Sequence, residues 1–430
     1  TPLYSSAASD VYKRQGELDD LPKMRWEPFY FNSEFFGMPH SRQHEGQLIR
    51  FTQASPDPAL FPFDRIKQIA TTMLWYPKEF FFDVGNPQGY RPLVDYLEKE
   101  MALAGVPVGE EHNGVVITGG FRRALSLVLD LVLRPGQKVV IESPNKAELL
   151  NLLIAKRVEY IPVPMDAQGM DTEYLAGVLA QGDVRAVITS PTYHNPTGTT
   201  MSQERREHLI RLAAKHRVPI IEDDWGRMLS YEGVVPPPLK SLDPGDYVIH
   251  IGTFSKAFLP GLRIGWVTVP APLAIPLVRE KLGVDREGYF LQALLHEFIS
   301  KGYFAKHLRK TVKEYKRRRN AMAKALKQHV PEGCSFATPN GGFTFWLELP
   351  AKIQSLPMLT LARAAGVEYL PASFCMPDRK DTNALRLSFS RTNVEEIETG
   401  IENLCKVIVE CIKDPDRLKQ GAKEYEDLYK

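Results

Sequence analysis

In "GTFSKAFLPGLRIG", residues 252–265, Thr253 and Ser255 lead into Lys256, and Arg263 follows seven residues later between Gly261 and Gly265. A lysine amine is a nucleophile or a proton carrier once it has lost its own proton. Hydroxyls and a second cation beside it suit an anion with several oxygens, such as a phosphate. Three other stretches carry groups of the same kind. Gly119 and Gly120 in "ITGGFRRAL" set free N–H groups at a strand-to-helix turn, which reads either as a phosphate cradle or as a plain tight turn. "SPTYHNPTG" offers Asn195 and Gly198 in a Pro-bounded loop, a composition that turn chemistry alone also explains. "IIEDDWG" ends an apolar run on Asp223 and Asp224. Neighbouring strand residues point to opposite faces, so one carboxylate is expected in a site and the other in solvent.

The elements that must position these groups alternate short β-rich runs with helical patterns. "GVVITGG" leads into "RRALSLVLDLVL", and "KVVIES" into "KAELLNLLIAK"; "VEYIPVP", "VRAVITSP", "VPIIEDD", "YVIHIGTF" and "RIGWVTVP" continue the series. Nearly unbroken apolar strands separated by helices predict a mostly parallel sheet covered on both faces. Residues 61–290 are therefore expected to form one large α/β domain, with its polar residues at the carboxyl ends of strands, where open parallel sheets bind ligands. Residues 291–413, opening on a long charged helical stretch, are expected to form a smaller α+β domain. Residues 16–60 are expected to be an N-terminal arm and part of that smaller domain, residues 414–430 a polar tail extending as a loose helix, and residues 1–15 a disordered or non-native tail.

The order of these pieces resembles the fold-type I pyridoxal-5′-phosphate (PLP) aminotransferases of class I and II. The wording is nearest to the aminotransferase-like domain of MocR-type proteins and to the 2-aminoadipate and aromatic amino acid aminotransferases. "PDPALFP", "NPQGYRPL", "IIEDD", "GTFSKAFLPGLRIGW", "NGGFTFWLELP" and "LRLSFS" all stand in the family's order, and the resemblance runs from about Arg50 to Ile412. It implies an α/β fold whose large domain has a mostly parallel seven-stranded sheet. It also implies a homodimer whose substrates are an amino acid and a 2-oxo acid. By the same resemblance Lys256 takes the PLP aldehyde as a Schiff base and carries the Cα proton. Asp223 pairs with the pyridinium nitrogen, and Asn195 hydrogen-bonds the ring hydroxyl. Thr253, Ser255, Arg263, the amides of Gly120 and Phe121, and the neighbouring Arg122 hold the phosphate. Arg386 in "LRLSFS" grips the substrate carboxylate.

Four positions depart from that pattern. Lys146 stands where an aromatic ring stacks on the cofactor, and Trp225 where a tyrosine joins Asn195 at the ring hydroxyl. Val84 replaces a tyrosine that reaches the neighbouring subunit's phosphate, and Ala54 a glycine near the substrate carboxylate. A cation beside a pyridinium costs electrostatic energy, and an indole donates a hydrogen bond but does not accept one. Either neighbouring residues compensate and transamination persists, or the outcome shifts to decarboxylation, racemisation or oxidative deamination. Transamination is the expected reaction.

Composition narrows the remaining classes. The 430 residues carry a net charge of +2, with 43% hydrophobic and 25% charged residues, which gives no electrostatic case for nucleic acid or an anionic membrane. No apolar run approaches the roughly 18 residues of a membrane span. Four cysteines (Cys334, Cys375, Cys405, Cys411) show no CxxC pair and no metal-ligand spacing. Buried thiols, a reducing cytoplasmic setting and no metal are expected. A MocR-type regulator needs a basic winged-helix module, and no such pattern precedes the matched region. The aromatic run "WEPFYFNSEFFGM" reads either as a lining for a large apolar substrate or as an arm across a dimer interface.

Overall fold

The computed structural model describes Arg25 and residues 48–429, apart from 110, 135 and 284–286. The aromatic run at 26–38 and most of the expected arm lie outside the described residues. The architecture that follows is that of the unit formed by residues 36–430.

Its large sheet is built from β1 (Asn113–Thr118), β2 (Lys138–Ser143), β3 (Glu159–Asp166), β4 (Gly169–Met170), β5 (Val184–Thr189), β6 (Ile220–Asp223), β7 (Val248–Thr253) and β8 (Gly265–Pro270). The order is β1-β8-β7-β6-β5-β2-β3-β4. The run from β7 to β3 is parallel, while β8 lies antiparallel to both β1 and β7. Seven strands are those expected. The eighth, β4, is a two-residue edge that folds back on β3 and is too short to leave a periodic signal.

Alternation along the strands explains why both faces are covered. Val139, Ile141, Ala186, Ile188 and Ile221 pack with the helices Phe121–Val132 and Ala147–Ala155. Val140, Val187 and Ile220 face the other way, onto Thr172–Leu179 and Gln203–His216. Each of the Val and Ile side chains among these, removed from water, contributes about 1.5–3 kcal/mol before the entropic cost of ordering is counted.

The second sheet is antiparallel, with β9 (Ser335–Phe336), β10 (Thr344–Glu348), β11 (Leu370–Pro371) and β12 (Ala384–Ser388) in the order β9-β10-β12-β11. Helices Tyr303–His329, Ser355–Ala364 and Val394–Lys413 cover it. Ile49–Arg50 pairs in parallel with Val367–Glu368, and the buried Phe51 carries the chain into this core.

The helix Tyr289–Ser300 buries Ala293, Leu294, Leu295 and Phe298 among Leu93, Val94, Val115 and Ile117. The polar tail forms the helix Asp416–Tyr429, held where Thr360 Oγ1 donates to the Gly421 carbonyl at 3.2 Å. Its apolar residues Leu418 and Tyr425 are spaced by seven, so one narrow stripe packs on the core although the segment is mostly polar. Cys375, Cys405 and Cys411 are buried free thiols and Cys334 is half-buried. Burial pushes the Cys405 thiol up to about 12.

Candidate functional site

Five turns at the carboxyl ends of the parallel strands meet at one cavity of about 490 Å³, counted out to its open mouth. Phe121 and Arg122 follow β1, Lys146 and Glu148 follow β2, and Asn195 follows β5. Trp225 comes two residues after β6, and Thr253, Ser255, Lys256 and Arg263 come from the end of β7 and the loop beyond it. Gly120 caps the helix Phe121–Val132 at φ +80°, and a Cβ there would lie 3.4 Å from the Arg263 guanidinium. The open backbone therefore leaves room for an anion at the helix N-terminus.

Arg386 approaches from the other sheet. It sits on the central strand β12, where Trp346 and Leu370 flank it, and donates through Nη1 to Asn195 Oδ1 at 3.2 Å and through Nη2 to the Thr52 carbonyl. Its Nε is buried and unpartnered among the described residues. Lys256 Nζ donates to the Ala54 carbonyl at 3.0 Å, which brings the altered position 54 into the site.

The charges set each other's protonation. Burial pulls the Lys256 amine below its ordinary value, with Glu148 opposing and Lys146 and Arg386 reinforcing the shift. A lowered pKa raises the neutral, nucleophilic fraction. Burial pushes the Asp223 carboxyl up, against the attraction of Lys146. Lys146 Nζ donates to Asp223 Oδ2 and lies 3.4 Å from the centre of the Phe121 ring. Asp223 Oδ1 stays buried without a partner among the described residues.

Asp224 corrects one expectation. It is not solvated: its carboxylate is buried, 3.1 Å from His250 Nε2 and 3.9 Å from Arg227. The strand end is covered on both faces, so the outward acid has its own buried partner. Thr253 lines the cavity, but its hydroxyl accepts from the Ser255 N–H at 3.1 Å and so shapes the loop. Ser255 Oγ and Trp225 Nε1 are buried and unpartnered among the described residues. Gly198 is required by a close approach, since a Cβ there would lie 2.7 Å from the Thr344 carbonyl.

Three residues escaped the sequence reading. Glu148 lines the mouth; desolvation pushes its carboxyl up, but Lys256, Lys146, Arg263 and Arg122 outweigh that and hold it below its ordinary value. Glu142 accepts from Thr189 Oγ1 at 2.5 Å and from the Ser190 N–H at 3.0 Å, anchoring the start of the Asn195 loop. Arg206, fully buried, donates to the Pro191 carbonyl and Thr192 Oγ1 at 2.7 and 2.8 Å and fixes the same loop. Glu142 stood in the quoted "KVVIES", but nothing local marks an acid or an arginine as a loop anchor.

The residues present fit PLP. Five cations (Arg122, Lys146, Lys256, Arg263, Arg386) outnumber the two acids Glu148 and Asp223 around the cavity, which suits a phosphate and a substrate carboxylate together. The free Ser255 Oγ and the glycine turn stand at one end, and the orphaned Asp223 Oδ1 supplies an acceptor for a protonated ring nitrogen.

The family model "Aminotransferase class I and II" matches residues 91–404. Aromatic-amino-acid aminotransferase 1 of Thermococcus litoralis is 31% identical, over 94% of this chain and 100% of its own length. Among solved structures, the multiple substrate aminotransferase of Thermococcus profundus superimposes with a TM-score of 0.84 at 31% identity, covering 91% of this chain and 100% of that one. The kynurenine aminotransferase of Pyrococcus horikoshii, in complex with PMP, gives 0.80 at 33% identity over 85% and 92% of the two chains.

Proposed function

This chain belongs to the class I and II aminotransferase family, and from that premise we propose how its own residues divide the transfer of an amino group. It is a PLP-dependent enzyme that moves an amino group between an amino acid and a 2-oxo acid. When bound, PLP supplies an aldehyde that condenses with amines and a ring that accepts electrons from Cα. Lys256 Nζ is the amine that holds the cofactor and then moves the proton at the substrate Cα. Asp223 holds the proton of the ring nitrogen. Ser255, Arg263, Arg122 and the amides of Gly120 and Phe121 bind the phosphate. Arg386 takes the substrate carboxylate as a bidentate pair, with Asn195 and the Thr52 carbonyl aiming its guanidinium.

The observation that carries this division is one cavity holding the Lys256 amine and the Ser255 Oγ, with Asp223 Oδ1 beside it, both oxygens unpartnered among the described residues. A single half-reaction tests it. Mixed with excess amino donor and no 2-oxo acid, the holoenzyme yields one 2-oxo acid per site and then stops. Continued turnover with release of carbon dioxide or uptake of oxygen would overturn the assignment.

We also propose that the active form is a homodimer. Trp75 and Phe82 are 86% and 85% exposed, and Leu74, Phe81 and Val84 extend the same apolar segment. An exposed patch of this kind favours a partner surface. An active monomer in sedimentation at assay concentration would rule the dimer out.

A further inference from the structure

Lys146 is a site residue for which the division of labour above has no use. It is buried, it caps the helix Ala147–Ala155, and its own N–H donates to Asn145 Oδ1 at 2.8 Å, so the turn after β2 fixes its place. Its ammonium is held from two sides, by Asp223 Oδ2 and by the face of Phe121. One Asp223 oxygen is thus committed, while Oδ1 is buried and has no partner among the described residues. A carboxylate in that condition can serve two cations at once.

We propose that Lys146 and the ring nitrogen of PLP share Asp223, Lys146 on Oδ2 and the ring nitrogen on Oδ1, so that Lys146 sets how firmly that nitrogen keeps its proton. The proposal rests on the assignment of Asp223 to the ring nitrogen. A carboxylate already neutralised by one ammonium raises the pKa of a second partner less. Lys146 is a positioning residue in this scheme: it acts on the ring through Asp223. The other charged groups around the pair are Glu148 on the same helix, Arg122 after β1, Asp224 beside Asp223, Lys256 and Arg263 after β7, and Arg386 on β12. Replacing Lys146 leaves all of them in place.

The test uses the holoenzyme loaded with PLP carrying ¹⁵N in the ring, with the ring-nitrogen shift followed against pH. In Lys146→Met the apparent pKa of the nitrogen rises by about one unit or more over the wild type, and PLP binds about tenfold more tightly by equilibrium dialysis. Lys146→Arg, which keeps the charge, follows the wild type. Equal titrations in Lys146→Met and wild type overturn the proposal. Should Lys146→Met not fold, the wild type decides: loss of the ring proton below about pH 9 supports sharing, and a nitrogen still protonated there overturns it. Asp223→Asn separates the two levels. If it loses the ring proton while Lys146→Met matches the wild type, only the role of Lys146 falls. If Asp223→Asn leaves the nitrogen unchanged, the assignment of Asp223 is wrong and the proposal falls with it.

Discussion

Lys256 borders two cavities of opposite character. On one side are Arg122, Arg263, Lys146, Ser255 and Asn195, with the Ser255 hydroxyl buried and unpartnered among the described residues. On the other are Phe61, Phe63, Phe258, Leu259 and Tyr315, with aromatic rings meeting edge to face at 5.0 Å. The first side is held open by charges that a ligand must complete; the second completes itself. Residues on the polar side should therefore govern cofactor and substrate, and residues on the apolar side should govern stability. The lysine between them should govern the chemistry.

The largest effect belongs to that lysine. Lys256→Ala should lower the rate by about 10⁴-fold, the upper range for removing a positioned proton carrier. Borohydride reduction and peptide mapping should place the pyridoxyl group on Lys256 in the wild type. A label on Lys146 instead would move the chemical centre to β2 and undo the comparison. The apolar side comes next. Phe258 is buried between Phe61, Phe298 and Phe304, and Phe258→Ala should cost about 3–5 kcal/mol in chemical denaturation. The folded fraction should still retain PLP. A loss of PLP affinity without a loss of stability would show that the two sides are not separate.

The polar side should itself divide. Arg263→Leu should weaken PLP binding by about 10–100-fold, the worth of charge-assisted hydrogen bonds, with a smaller change in the KM for the amino donor. Arg386→Leu should raise that KM by a similar factor and leave PLP retention nearly intact. Equal loss of PLP in both variants would merge the two anion sites into one.

The polar side was the more legible in the sequence. Asp223 ends an apolar run, Gly120, Asn195 and Lys256 lie in turns that follow a strand, and Arg263 lies two residues before the next one; the ends of strands in a parallel sheet are where ligands bind. Type and place coincide there. Arg386 was legible only through the family resemblance, because an arginine in "ALRLS" looks like any half-exposed strand residue. The apolar side left no such mark. Phe61 and His307 are 246 positions apart and meet at 5.0 Å, and neither flanking pattern foretells the contact. The core that "YFLQALLHEFIS" joins is hidden for the same reason, since the segment is amphipathic whichever core it joins. Asp224 is buried against His250 although a solvated acid is expected there, because alternation predicts which face a side chain takes, not whether that face is covered.

The smallest expected effect tests how dry the apolar side is. Burial pulls the His307 imidazole down to about 4, opposed in part by its hydrogen bond to the Ala257 backbone, next to Lys256. Its Nδ1 has no partner among the described residues. A histidine neutral in the fold and ordinary in the unfolded chain takes up protons first in the unfolded chain. Its contribution to stability is therefore complete above the ordinary histidine value of about 6.5 and is lost as pH falls toward about 4. Urea midpoints should then decline between those values, and His307→Gln, which cannot titrate, should flatten the decline while leaving the midpoint at neutral pH little changed. The carboxylates around the polar cavity stay in both proteins, so the difference between the two slopes belongs to His307. Identical slopes would mean that water reaches this ring, and the contrast across Lys256 would then be one of charge rather than of access to solvent.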